Sequence, residues 1–213
     1  GIAAALAGLQ AATAHDPASV QGVMIGTTHF INAIIQGRDL APTAAIRLGL
    51  PATAALPPLS GGPARLVAAT RGRGYLCHGG HEIDGRTISA LRRDELERVA
   101  EDIVAYGIQS VAISSVYSPV NAECELEAAA ILAELLPDTP ISLSHQIGRM
   151  GLLQRENATI INASLSGLAT HICRGLAAAV EAAGISAPLF LSQNDGTLMD
   201  VEYARRFPVA TFA

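Results

Sequence analysis

The apolar residues of this 213-residue chain fall into short runs separated by turn formers, and their spacing changes along the sequence. Ile2 to Thr13 is rich in Ala and Leu with no β-branched run after Ile2, which predicts a helix. His15-Asp16-Pro17 ends it, because the residue before a proline is pushed out of the helical region. Val20 to Ile25 is an apolar run that stops at Gly26 and reads as a buried strand. Thr27 or Thr28 then caps a helix whose Ile31, Ile34 and Ile35 share a face, and Gly37 closes it. Thr43 to Leu48 reads as the next strand, so the order predicts a β-α-β unit with parallel, right-handedly joined strands.

From Gly49 to Gly80 the texture changes. Pro51, Pro57, Pro58, Gly61, Gly62, Pro63, Gly72, Gly74, Gly79 and Gly80 punctuate a long excursion. Strands are expected at Arg65 to Ala69 and near Tyr75, and two short ones around the Asp84-Gly85 turn between His81 and Ser89. Regular alternation then resumes. Asp94 to Tyr106 predicts a helix with Leu96, Val99 and Ile103 inward, and Ile108 to Val116 a strand covered on both faces. Asn121 caps a helix to Leu136, with Glu123, Glu125 and Glu127 near its positive end, and Pro140 precedes a short strand at Ile141 to Leu143. Arg155 to Ala183 reads as helix interrupted at Gly167 or Gly175, and Gly184 ends it. Pro188 leads a strand at Leu189 to Ser192, followed by a turn at Asn194-Asp195-Gly196, a helix at Val201 to Arg206 and a last strand from Val209. This order predicts an α/β fold with a mainly parallel central sheet flanked by helices. Residues 1–49 and 91–213 are expected to form its core, and residues 50–90 a small β-rich insertion or subdomain.

Composition narrows the chemistry. All 14 positive residues are Arg, so no mechanism that needs an ε-amino group is open, the lysine of a P-loop included. The net charge is −5 and the arginines are scattered, which argues against a nucleic-acid partner. No run has the length and flanks of a membrane span, and a cytoplasmic location is expected. Cys77, Cys124 and Cys173 are too sparse for a disulfide framework or zinc spacing and read as buried small hydrophobes. Cys77-His78-Gly79-Gly80-His81 gathers soft ligands in one loop, but too few to fill a coordination shell. His15, His145 and His171 stand isolated. No G-x-S-x-G elbow occurs, and no strand leads into a G-x-G-x-x-G turn.

Two stretches lie where open α/β sheets bind ligands, at the carboxyl ends of expected strands. Gly26-Thr27-Thr28-His29-Phe30-Ile31-Asn32 opens a helix. A glycine there admits a ligand to the backbone, and the helix start offers N–H groups and partial positive charge. The plainer alternative makes Thr28 an ordinary cap and leaves Asn32 in solvent. Ser192-Gln193-Asn194-Asp195-Gly196-Thr197 could hold Mg²⁺ through Asp195 and admit a phosphate at Gly196, or be only a tight turn. Arg155-Glu156-Asn157 with Asn162 either lines a cleft or caps a helix.

The run Ile25-Gly26-Thr27-Thr28 through Asn32-Ala33, followed by Ala44-Ala45-Ile46-Arg47, resembles the start of the hydantoinase A/5-oxoprolinase family. The resemblance continues collinearly through Ser110-Val111-Ala112-Ile113, Ser118-Pro119-Val120-Asn121-Ala122-Glu123, Ile141-Ser142-Leu143-Ser144, Arg155-Glu156-Asn157-Ala158-Thr159 and Ser192-Gln193-Asn194-Asp195-Gly196-Thr197-Leu198, to Ala204-Arg205-Arg206-Phe207-Pro208. It implies an actin-like, ribonuclease H-like ATPase fold that uses ATP and Mg²⁺ to activate a cyclic amide or a ketone. Hydantoin and 5-oxoproline opening and acetone-carboxylase subunits belong to this class. It assigns Gly26, Thr27, Thr28 and Asn32 to the substrate or phosphate cleft, and Asn194, Asp195 and Gly196 to the nucleotide and Mg²⁺. It further implies a hydantoinase B-like second subunit or domain. The family's D-x-G-G-T phosphate loop and its Ser-Gly-Pro segment have no counterpart in this sequence, so an internal fragment is expected, inactive alone and with strand edges prone to form a homodimer. The competing class is a non-catalytic actin-like binding or assembly domain. A barrel-type metal amidohydrolase would need an H-x-H pair, and none occurs.

Overall fold

The computed structural model describes residues 2–13, 16–60 and 62–212, so the helix stop read at His15 and the turn glycine Gly61 lie outside the described residues. The contacts divide the chain into two compact units, Gly1–Ile35 with Ser166–Ala213 and Gln36–Leu165. These boundaries differ from the expected ones at 49/50 and 90/91.

The second unit holds β2 (Thr43–Leu50), α3 (Ala64–Ala69), β3 (Arg73–His78), α4 (Arg93–Ala105), β4 (Ser110–Ser115), α5 (Glu123–Leu135), β5 (Ile141–Leu143) and α6 (Leu152–Ser164). Its four strands are all parallel, in the order β3-β2-β4-β5. β2 and β4 are central and buried almost throughout, as near-continuous apolar runs require. Alternation then decides which residues meet which helix. Ile46, Leu48, Val111 and Ile113 pack with Leu96, Val99 and Ile103 of α4 and Leu132 of α5. Ala45 and Ala112 face the other way, where their small side chains let Ile160 and Ala163 of α6 approach closely.

The first unit holds α1 (Ile2–Thr13), β1 (Val23–Ile25), α2 (His29–Gln36, continuing one residue past the division), α7 (Ser166–Ala182), β6 (Leu189–Ser192), β7 (Leu198–Asp200) and α8 (Val201–Arg206). β1 pairs in parallel with β6, and β6 pairs antiparallel with β7. Among the described residues, no helix is long and apolar enough to cross a membrane.

Several expectations need correction. β1 and β2 lie in different sheets, so β1-α2-β2 is not a β-α-β unit, while the expected α/β fold with a parallel sheet flanked by helices is present in the four-stranded unit. The chain changes unit at 35/36, which hydrophobic periodicity does not register. Residues 64–69 are the helix α3, not a strand; they begin after Pro63 and contain five good helix formers, Ala64, Arg65, Leu66, Ala68 and Ala69. The hairpin at 81–89 is reduced to one bridge, His81 with Thr87. On α2 the buried residues are Phe30 and Ala33, and Ile35 is 60% exposed. The long helix breaks at the fully buried Leu165 rather than at a glycine. The strand expected from Val209 is instead part of a 3-10 turn, Pro208–Thr211, which Pro208 opens.

Ile113→Ala should destabilise the protein by about 2–5 kcal/mol, since Ile113 is fully buried between β4 and the α4/α5 layer. Met24→Ala, at a mostly exposed position on β1, should cost within about 0.5 kcal/mol. Urea unfolding of the two variants checks this; equal costs would contradict the assigned core.

Candidate functional site

The carboxyl ends of β1 and β6 lie side by side. Ile25 is in register with Leu191, and a Cβ added to Gly26 would stand 3.4 Å from Ser192 Oγ. The two stretches singled out in the sequence therefore leave one sheet edge from neighbouring parallel strands. Gly26 opens into the first turn of α2 and Ser192 into the β6–β7 hairpin.

On the α2 side, Thr27 is the cap. Its Oγ1 accepts from His29 N at 3.2 Å and lies 2.7 Å from His29 Nδ1. Thr28 and Asn32 are tied one turn apart: Asn32 N donates to the Thr28 carbonyl at 2.9 Å, and Asn32 Nδ2 donates to Thr28 Oγ1 at 3.3 Å. With that oxygen serving as acceptor, the Thr28 hydroxyl keeps its own proton to donate. Thr28 and Asn32 are exposed, and the helix start adds N–H groups without intrahelical acceptors.

On the β6 side, Gln193 N donates to the Thr197 carbonyl at 2.8 Å and closes the hairpin, with Gly196 at φ +84°. Asp195 Oδ1 accepts from Thr197 N at 2.9 Å and from Thr197 Oγ1 at 2.7 Å. The Thr197 hydroxyl and then its amide hold the Asp195 carboxyl below its ordinary range, so it is ionised at neutral pH. Because the folded pKa is depressed, these bonds favour the turn near neutrality and are lost as pH falls through that pKa. Oδ2 carries neither bond. Asn194, Asp195 and Gly196 are exposed at the hairpin tip.

These donors suit an anionic, phosphate-like group by type, and one carboxylate with a second oxygen available suits Mg²⁺ completed by water and phosphate. Among the described residues, no three His, Cys, Asp or Glu side chains gather to hold a metal by themselves.

A second polar cluster lies inside the four-stranded unit; of its members the sequence points to Arg155, Glu156 and Asn162, but not to Arg47, Ser114 and Glu125 as their partners. Arg47 and Ser114 project from β2 and β4 toward α6, where both meet Glu156. Arg47 Nε reaches Glu156 Oε2 at 2.7 Å and Nη2 reaches Oε1 at 2.5 Å, while Ser114 Oγ donates to Oε2 at 2.8 Å. Arg47 Nη1 also donates to the Leu56 carbonyl. Next to this pair, buried Glu125 accepts from Ser115 N at 2.9 Å and Ser144 Oγ at 2.5 Å, and its Oε2 lies 2.7 Å from His145 Nδ1. Arg155 donates from Nε to Ser144 Oγ at 2.8 Å and from Nη2 to the Ser115 carbonyl at 2.5 Å. Burial lowers the Arg155 pKa, opposed by the negative charges of Glu125 and Glu156. Arg155 and Glu156 thus face the interior rather than a cleft or a helix end, Asn162 donates to Ser142 Oγ at 3.1 Å, and Asn157 is half-buried. His145 is paired, not isolated; His171 is exposed. The signal available was Arg47 itself, a charge inside an apolar strand that demands a buried partner.

His78 is held by Glu95 through N at 2.8 Å and Nδ1 at 2.6 Å. Burial, with Glu95 adding, pushes the Cys77 thiol up to about 12, and burial also raises Cys124 and Cys173, so none of the three is a thiolate nucleophile at neutral pH.

The sequence pattern of the hydantoinase/oxoprolinase N-terminal region matches residues 1–136, and the chain belongs to this family. An uncharacterized protein of Methanocaldococcus jannaschii is 25% identical over 130 residues, which is 61% of this chain and 19% of that protein. The ATP-dependent caprolactamase of Pseudomonas jessenii has a similar fold, with a TM-score of 0.79 at 20% identity over 98% of this chain. A nucleotide-free acetone carboxylase gives a TM-score of 0.78 at 17% identity over 99% of this chain. This chain spans 33% of each of those solved chains.

Glu156→Ala leaves Arg47 buried without its counter-charge and should cost about 3–5 kcal/mol, with Arg47→Met/Glu156→Leu recovering much of that loss. Thermal and urea unfolding of both variants measures it; a single variant as stable as the parent would contradict the pairing.

Proposed function

We propose that this chain is part of an ATP-dependent enzyme that opens a cyclic amide of the hydantoin or 5-oxoproline type, and that the β1 and β6 ends line its phosphoryl-transfer cleft. The carrying observation is the adjacency of Gly26 and Ser192 at one sheet edge, from which the α2 start and the turn bearing the ionised Asp195 both leave. Membership of the hydantoinase/oxoprolinase family supports it, as does likeness to a caprolactamase described as ATP-dependent.

Amide resonance makes a ring carbonyl a poor electrophile. ATP bound with Mg²⁺ would supply the phosphoryl group that makes its oxygen a leaving group. In this reading Gly26 admits the anion to the backbone, and the Thr28 hydroxyl and Asn32 amide donate to its oxygens. Thr27 acts through the cap it gives α2. Asp195 offers its outer oxygen to Mg²⁺, with Asn194 and Gly196 beside the nucleotide. A hydantoinase B-like subunit or domain would complete the enzyme, and self-pairing through strand edges is a further mode of assembly. An acetone-carboxylase-type activity is the second reading, favoured by a fold likeness nearly equal to that of the caprolactamase.

Asp195→Asn keeps an oxygen to accept from Thr197 while removing the charge. In the full-length protein it should lower kcat for ATP-coupled ring opening or carboxylation by about a hundredfold or more, with Tm little changed. Asn32→Ala should also reduce turnover. Parental turnover in both variants would contradict an enzymatic role for this edge and favour a non-catalytic binding domain.

A further inference from the structure

Among the described residues, the sheet of the second unit ends at β3 with no further strand beside it. β3 pairs only with β2 among the described residues, and it is six residues long, whereas the other edge strands, β1, β5 and β7, have three each. Proteins keep edges from pairing by shortness, proline or outward charge. β3 has no proline, and its one arginine is Arg73, whose guanidinium lies over the Tyr106 ring, 3.5 Å from its centroid.

Between this edge and α4 runs an open groove of about 620 Å³, floored by Gly74 to Cys77 and walled by Val99, Glu101 and Asp102. The helix wall is acidic. Glu101 is exposed and Asp102 half-buried, Glu95 stands at the other end, and Arg98, which also lines the groove, is paired with Asp94 at 3.0 Å. Burial and then the Asp102 carboxylate raise the Tyr75 hydroxyl's pKa, opposed by Arg73.

We propose that β3 takes up an extended segment of a partner protein as an added strand, with Arg or Lys at alternate positions facing Glu101 and Asp102. Backbone pairing would supply affinity, and the period-two side chains would supply selectivity. A second copy of β3 is the weaker occupant, because it would set like carboxylates against each other around the shared edge.

The probe is a labelled seven-residue peptide of alternating arginine and valine, titrated into the full-length protein by anisotropy, with hydrogen exchange read at residues 73–78. The proposal expects saturable binding that slows exchange at those amides. Methylating alternate backbone nitrogens of the peptide, or replacing its arginines by glutamates, should weaken binding by about tenfold or more. Glu101→Gln/Asp102→Asn should weaken it while leaving Tm unchanged. Equal binding of the methylated peptide, no protection at 73–78, or self-association of the protein through those residues would each overturn the proposal.

Discussion

The candidate site depends on the parallel pairing of Val23–Ile25 with Leu189–Ser192. Each strand is too short to persist alone, so tertiary packing must hold the pair. Leu191 is fully buried, Met199 of β7 and Ala204 of α8 are buried too, and α8 contacts both β6 and β7. Parallel pairing has a chemical consequence that antiparallel pairing would lack. It brings two carboxyl ends to one edge, so a helix start and a hairpin tip from distant parts of the sequence leave the sheet together.

The second unit is organised by a different constraint. Two guanidinium groups and two carboxylates are buried in it, and each is satisfied: Arg47 with Glu156, and Arg155 with Glu125 through Ser144. Removing charges from water is costly, and partners placed by strand alternation offset that cost only when every member is present. Glu156 is reached from β2 and β4 together, and Glu125 binds Ser115 N at the end of β4. The network thus ties α6 to β2 and β4 through Glu156, and α5 to the end of β4 through Glu125.

Strong periodicity was readable where one helix or strand met one environment. The α4 face of Leu96, Val99 and Ile103 and the two-sided burial of β4 follow directly from the sequence. Gly37 and Gly184 end helices with φ at +63° and +70°. Long-range choices were not readable. Nothing local tells that β1 joins β6 rather than β2, or that the long helix breaks at Leu165, because both depend on where the chain changes unit. Both stretches of the candidate site were found from strand-end glycines and hydroxyls, whereas Glu125 looked like a dipole-compensating surface residue until Ser144 and His145 were seen to bind it.

The most direct measurement is hydrogen exchange of the full-length protein titrated with ATP and Mg²⁺. If the β1 and β6 ends form one nucleotide edge, amides in residues 26–32 and 193–197 should become protected together, at the same ligand concentration. Protection confined to one of these segments, or appearing only elsewhere in the chain, would contradict the account.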